Sequence, residues 1–215
     1  MYTCRKDLYN KCIILFICVY VCISSINAQN IRDNWFFGNR ASVNFSNINP
    51  KALNNSAMVA PEGCATLNDS SGTLLCYTDG NAIWNANHVI INGNNVLGGN
   101  PSGAQNVQII PYPGKPSQYV FVYIKGSAEN PPMSLWYTIY DSIPTNNAVQ
   151  IIPPTLLYEN ITEKLVVIEN NVGNGYWIFT HGFSDNNYLA FQLTNTGISK
   201  SPIISAGSYN FKTSK

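Results

Sequence analysis

Charge is scarce in this chain. Of 215 residues only 11% are charged, with 12 Lys+Arg against 11 Asp+Glu and a net charge of +1. A nucleic-acid-binding protein works through a large positive excess, so that class is excluded. A disordered chain pairs high charge with few aromatics, and here 12% of residues are aromatic and 45% hydrophobic, the reverse pattern. Long apolar runs are missing as well: the run at residues 12–23 is 12 residues long, whereas a membrane-spanning helix takes about 20. Histidine occurs twice. No Gly-x-Ser-x-Gly elbow, His-Glu-x-x-His pair or phosphate-cradling glycine loop is present, which removes the common hydrolase, zinc-protease and nucleotide-binding signatures. What is abundant is asparagine, 30 of 215 residues. Polarity supplied by amides and hydroxyls rather than ions suits a turn-rich β protein.

The first 28 residues read as an address. Arg5, Lys6 and Lys11 precede the apolar run, and a polar stretch ending in Asn27-Ala28-Gln29 follows it. A positive start, a short apolar middle and a small residue at the cut describe a secretory signal peptide. The remaining chain, residues 29–215, is therefore expected to be secreted or displayed at the cell surface, with no membrane span after cleavage. Four of the six cysteines leave with the leader, and Cys64 and Cys76 remain. In an oxidising compartment these two are a possible disulfide. The alternative is two buried thiols packing as small apolar groups.

Beyond the leader, short β-branched and aromatic runs alternate with Asn, Gly, Ser and Pro, and no stretch of helical period appears. An opening hairpin is expected at 34–38 and 41–45. Three strand trios follow: 62–69, 73–80 and 82–87; then 106–113, 118–126 and 134–141; then 164–171, 175–182 and 187–194. Each middle strand ends on a glycine, in Thr78-Asp79-Gly80, Ile124-Lys125-Gly126 and Thr180-His181-Gly182. The turn Asp69-Ser70-Ser71-Gly72 carries the Asp-first, Gly-last chemistry of a type I turn. A further strand pair is expected at 203–205 and 208–211.

The middle strands are apolar on both faces. Leu74-Leu75-Cys76-Tyr77, Tyr119-Val120-Phe121-Val122-Tyr123-Ile124 and Tyr176-Trp177-Ile178-Phe179 do not alternate as a sheet with one wet face would. Antiparallel trios with two apolar faces call for sheets stacked face against face. The expected fold is all-β and β-propeller-like, with about four blades of antiparallel strands, an antiparallel sandwich being the rival. Because a repeat array needs its end faces covered, the sequence is expected to be the front part of a larger propeller.

One set of motifs is distinctive in combination. It comprises Asn34-Trp35-Phe36-Phe37-Gly38, Glu62-Gly63-Cys64-Ala65-Thr66-Leu67, Gly72-Thr73-Leu74-Leu75-Cys76-Tyr77-Thr78-Asp79-Gly80, Ile83-Trp84-Asn85 and His88. Downstream come Asn92-Gly93, Leu97-Gly98, Gln105, Ile109-Ile110-Pro111-Tyr112-Pro113-Gly114, Glu163-Lys164-Leu165 and Gly175-Tyr176-Trp177-Ile178. Together they resemble the N-terminal region of large exported Bacteroidetes surface proteins, of the kind that end in gliding-motility or type IX secretion sorting domains. Cys76 departs from that pattern, in which an aromatic residue is expected, and no sorting module follows in this sequence. The resemblance implies a propeller-like domain of a surface protein and no activity of its own.

Catalytic candidates are thin. Glu62 and Asp79 are the carboxylates a glycosidase reading would pair. The counterparts of Asp79 in the other trios are Lys125 and His181, which argues for a polar turn position rather than an acid. Asp185-Asn186-Asn187 reads as a hairpin turn rather than a calcium loop. No cofactor or metal site is expected. Among the tryptophans, Trp84, Trp136 and Trp177 are candidate ligand-stacking residues, with core packing as the alternative for each. The function expected is a non-catalytic binding or scaffolding module with glycans or other surface proteins as partners. A secreted carbohydrate-active enzyme is the alternative.

Overall fold

The computed structural model describes residues 33–127, 129–143 and 148–208. The leader at 1–28 and residues 209–211 of the strand expected at 208–211 lie outside them. Among the described residues every regular element is a β-strand. In chain order these are β1 (Asn34–Phe37), β2 (Ala41–Asn44), β3 (Lys51–Leu53), β4 (Ala65–Asn68), β5 (Leu74–Thr78), β6 (Ile83–Asn85), β7 (Val107–Pro111) and β8 (Gln118–Ser127). They continue with β9 (Asn130–Asp141), β10 (Val149–Glu169), β11 (Tyr176–Gly182), β12 (Asn187–Thr194), β13 (Gly197–Ile198) and β14 (Ile203–Ala206). The opening hairpin and the three trios are where the residue pattern puts them, and all pairings are antiparallel.

Hydrogen bonding joins these strands into three sheets: β1-β2-β3, β4-β5-β6 and an eight-stranded sheet running β13-β12-β11-β10-β9-β8-β7 with β14 on β12. The second and third trios are therefore not separate sheets, as expected, but are joined through β10. The reason lies in β10 itself. Its first half pairs with β9 from Val149 to Ile161, and its second half pairs with β11 from Ile161 to Glu169. Register breaks recur along it, around Pro153-Pro154 and at Asn160, which takes a left-handed φ of 59°. Proline removes ladder donors and bulges bend a strand, so one continuous strand closes one layer and opens the next.

Among the described residues packing gives three cores, and the strand groups that flank them, β1–β3, β4–β6, β7–β9 and the second half of β10 with β11 and β12, are called the first to fourth layers. Phe36 of β1 packs with Tyr77 and Trp84 of β5 and β6, between the first and second layers. Leu67, Cys76 and Ile83 of the second layer pack with Tyr119, Phe121, Tyr123 and Tyr140 of β8 and β9. The opposite face of that third layer, Val120, Val122, Ile124 and Leu135, packs with Ile161, Leu165, Ile178, Leu189 and Phe191 of the fourth. Residues 119–124 of β8 are all buried, odd positions toward one neighbour and even positions toward the other. The apolar character of both faces thus follows from shielding on both sides. The described residues form no closed barrel or ring.

Side-chain amides join the first layer to the second. Asn34 donates through Nδ2 to Asn68 Oδ1 at 3.0 Å and to the Gly72 carbonyl at 2.7 Å. Asn68 Nδ2 donates back to the Asn34 carbonyl at 3.0 Å, and Asn44 Nδ2 donates to Asn34 Oδ1 at 2.9 Å. Part of the asparagine excess is accounted for in this way. Another part sits at left-handed backbone positions, Asn92, Asn95 and Asn160, which asparagine tolerates better than most residues.

Candidate functional site

The two leading carboxylate candidates have different surroundings. Glu62 is exposed on the approach to β4. Asp79 is buried after β5, and its Oδ1 accepts the Asn81 and Ala82 amides, each at 2.8 Å. Its carboxylate is used to hold its own turn, the structural role the trio comparison suggested. Lys125 lies 4.2 Å from the Trp136 ring centre. His181 Nδ1 lies 2.8 Å from the Gly182 carbonyl, with its ring edge-on to Tyr188. Asp185 Oδ1 accepts the Asn187 amide at 2.8 Å and shapes the β11–β12 turn. Among the described residues no three His, Cys, Asp or Glu side chains gather to hold a metal ion.

Cys64 and Cys76 are free thiols. The register pairs Cys76 with Leu67 and Ala65 with Thr78, so Cys64 is not opposite Cys76. Cys76 is fully buried between the second and third layers, and Cys64 packs toward the first. A bridge would have to pass through the sheet. Burial pushes both thiols above the usual range, which leaves them unreactive.

The three candidate stacking tryptophans have different surroundings. Trp84 is buried and lies parallel to Tyr77 with ring centres 5.5 Å apart, and Tyr77 in turn stacks on Phe36 at 4.4 Å. Its ring is part of the first inter-layer core and is closed to ligands. Trp136 is half-buried, covered on one side by Lys125, and its Nε1 donates to Ser134 Oγ at 2.8 Å. Trp177 is half-buried on the outward side of β11, opposite Ile168 and Gln192.

A different aromatic pair lines an open site. On β1 only Phe36 turns inward, leaving Trp35 51% exposed and Phe37 39% exposed. Beside them, between the neighbouring strands β1, β4 and β7, runs a groove of about 640 Å³. Its walls include Asn34, Trp35, Phe37, Thr66, Asn68 and Gln108. The wall is rigid: Thr66 Oγ1 accepts the Phe36 amide at 2.9 Å, and Asn34 and Asn68 bind each other. No acidic or basic side chain lines it. Trp35 belongs to the opening hairpin rather than to a repeated trio. The signal that marks it is strand alternation: with Phe36 inside, Trp35 and Phe37 point out.

Beside the first core, the Tyr77 hydroxyl sits 3.0 Å from His88 Nδ1 and accepts the Ala57 amide at 3.1 Å. Burial holds the His88 imidazole below its ordinary range. A folded-state pKa below the unfolded one means that the unfolded chain binds more protons. Stability is therefore full above the unfolded value, about 6.5, and falls as pH drops from there toward the folded value. The melting temperature is expected to fall between pH 7.5 and pH 5 and to do so less in His88→Gln. Equal falls in both proteins would contradict this. Asp69 and Asp141, whose carboxyls are lowered by hydrogen bonds from Ser71 and Ser142, lose their contributions only at more acid pH, below about 4.

Comparison with known proteins finds no matching family model, no matching curated protein and no matching solved structure.

Proposed function

We propose that this chain is an exported, propeller-like array of stacked β layers that serves a cell-surface protein as a non-catalytic binding module, and that its ligand is a neutral polysaccharide held in the β1–β4–β7 groove. The observation that carries this reading is the exposed Trp35 ring beside Phe37, on a rigid amide- and hydroxyl-lined wall with no ionic group. A sugar ring offers a C–H face for stacking on an aromatic and hydroxyls for amide partners, and aromatic residues combine apolar area with low entropy loss on ordering. A wall without cations gives no preference for uronate or sulfate groups. The four layers, each built from antiparallel strands, support the blade reading, and the leader pattern supports export. The enzyme alternative gains nothing from Glu62 and Asp79, which stand in solvent and in a turn respectively.

Affinity electrophoresis against a panel of neutral and acidic polysaccharides tests the proposal. Retardation by at least one neutral polysaccharide, weakened about tenfold or more in Trp35→Ala (roughly 1.4 kcal/mol), is the expected result. No retardation on any neutral polysaccharide, or equal retardation of the variant, would overturn it.

A further inference from the structure

We propose that a cleft between the third and fourth layers binds a sugar carrying a free amine, a glucosamine unit of a short oligosaccharide, with Glu169 as the partner of the ammonium group. The cleft, of about 600 Å³, lies where three turns converge. The β7–β8 turn supplies Gly114, the β10–β11 turn Asn174 and the β12–β13 turn Asn195. A carbon added to Gly114 would stand 3.3 Å from the Asn195 Cβ, so the first and third turns meet closely. The volume is that of a small-molecule site.

Glu169 is the one charged side chain in the wall. Strand alternation turns Leu165, Val167 and Glu169 to the inner face of β10. Leu165 and Val167 join the core, and Glu169, at the strand end, stands beside its register partner Tyr176 in the cleft. Its Oε1 lies 3.7 Å from where a Cβ on Gly173 would be. Asn170 and Asn174 bond each other at 2.8 Å, and among the described residues no hydrogen bond or ion pair engages the Glu169 carboxylate. The nearby Lys115 ammonium sits on the Tyr112 ring, 4.4 Å from its centre, instead. An exposed, unengaged carboxylate in a cleft wall calls for a cation, and a hydrogen bond between charged groups is among the stronger kinds. The rest of the wall selects a sugar over a bare amine. Burial and then the Glu169 charge push the Tyr176 hydroxyl above its ordinary range, so it is a neutral phenol that both donates and accepts. Thr194, Asn174 and Asn195 add hydroxyl and amide groups. A pyranose offers C–H surface to the Tyr176 ring and hydroxyls to those groups, and its amine supplies the charge. None of the cleft residues lines the Trp35 groove.

Two-dimensional amide NMR of the whole chain, titrated with fully deacetylated chitotriose up to about 10 mM, tests the proposal. Shifts at the Gly114, Gly173 and Gly175 amides are expected. Glu169→Gln, a change of charge but not of shape at an exposed position, weakens binding there about tenfold or more, with the far-ultraviolet spectrum unchanged. The N-acetylated trimer, which lacks the charge, and butylammonium chloride, which lacks the sugar, each bind there about tenfold or more weakly as well. The Trp35 indole resonance reports its own groove, so failure here and failure of the neutral-glycan reading are seen on different signals. No shift at the cleft amides, shifts confined to the Trp35 indole, equal binding of the acetylated trimer or of butylammonium, or indifference to Glu169→Gln would each overturn the proposal.

Discussion

Phe121→Ala is expected to destabilise the fold by about 3–5 kcal/mol, and Ile124→Ala on the same strand by about 2–5 kcal/mol. The two side chains leave β8 on opposite faces. Phe121 is fully buried against the second layer and meets Tyr140 edge-on with ring centres 5.7 Å apart, whereas Ile124 is buried against the fourth layer. In a sheet with one wet face, one of the two substitutions would fall within about 0.5 kcal/mol of neutral. The residues belong to separate cores about 10 Å apart along the strand, so the double variant should show the sum of the single losses. Urea denaturation of the three variants measures this. A near-neutral result for either single variant would show that one face of β8 is not a core.

Gly63→Ala is the second large effect, and it arises from space rather than from backbone conformation. Gly63 donates its amide to the Gly103 carbonyl at 3.0 Å, at a junction of three loops. Asn106, 1% exposed, sits at the centre, and its Nδ2 donates to the Asp79 carbonyl at 2.8 Å and to the Asn100 carbonyl. A Cβ on Gly63 would collide with the Gly103 carbonyl oxygen and the Asn106 side-chain oxygen. Neither is the free end of a flexible chain. Separating the loops breaks buried hydrogen bonds whose orphaned groups cost about 1–3 kcal/mol each, so a loss of about 3–5 kcal/mol is expected. Gly93→Ala is the control. Nothing lies within 4 Å of its added carbon, and its φ of 88° limits the cost to local strain of about 1–3 kcal/mol. Thermal unfolding compares the two. A smaller loss at Gly63 than at Gly93 would contradict the packed junction.

The strands were legible because their chemistry is local. Asp69 accepts the Ser71 and Thr73 amides and Gly72 takes a φ of 84°, as its Asp-first, Gly-last sequence requires, and the trios follow from turns of this type. The two apolar faces of Tyr119–Ile124 foretold layers on either side. The first half of β10 was not legible, because Pro153-Pro154 reads as a break and the strand absorbs it by bulging at an irregular pairing. Nor was β3, where Lys51-Ala52-Leu53 is too short to carry a period. The joining of two trios in one hydrogen-bonded sheet is a tertiary event that no local pattern encodes. At the site, amide-rich turns hid which tryptophan would be open. Trp84, Trp136 and Trp177 lie on strands that face neighbouring layers or a sheet surface, whereas Trp35 is exposed because, among the described residues, its hairpin packs against a neighbouring layer through Phe36 on one side only.

Hydroxyl-radical footprinting of the unmodified protein, read residue by residue by mass spectrometry, tests the stacking most directly. Trp35 serves as the exposed internal standard. Protection of both alternating sets on β8, Tyr119, Phe121 and Tyr123 together with Val120, Val122 and Ile124, is the predicted result. Oxidation of either set at a rate approaching that of Trp35 would place one side of β8 in solvent and contradict the layered arrangement.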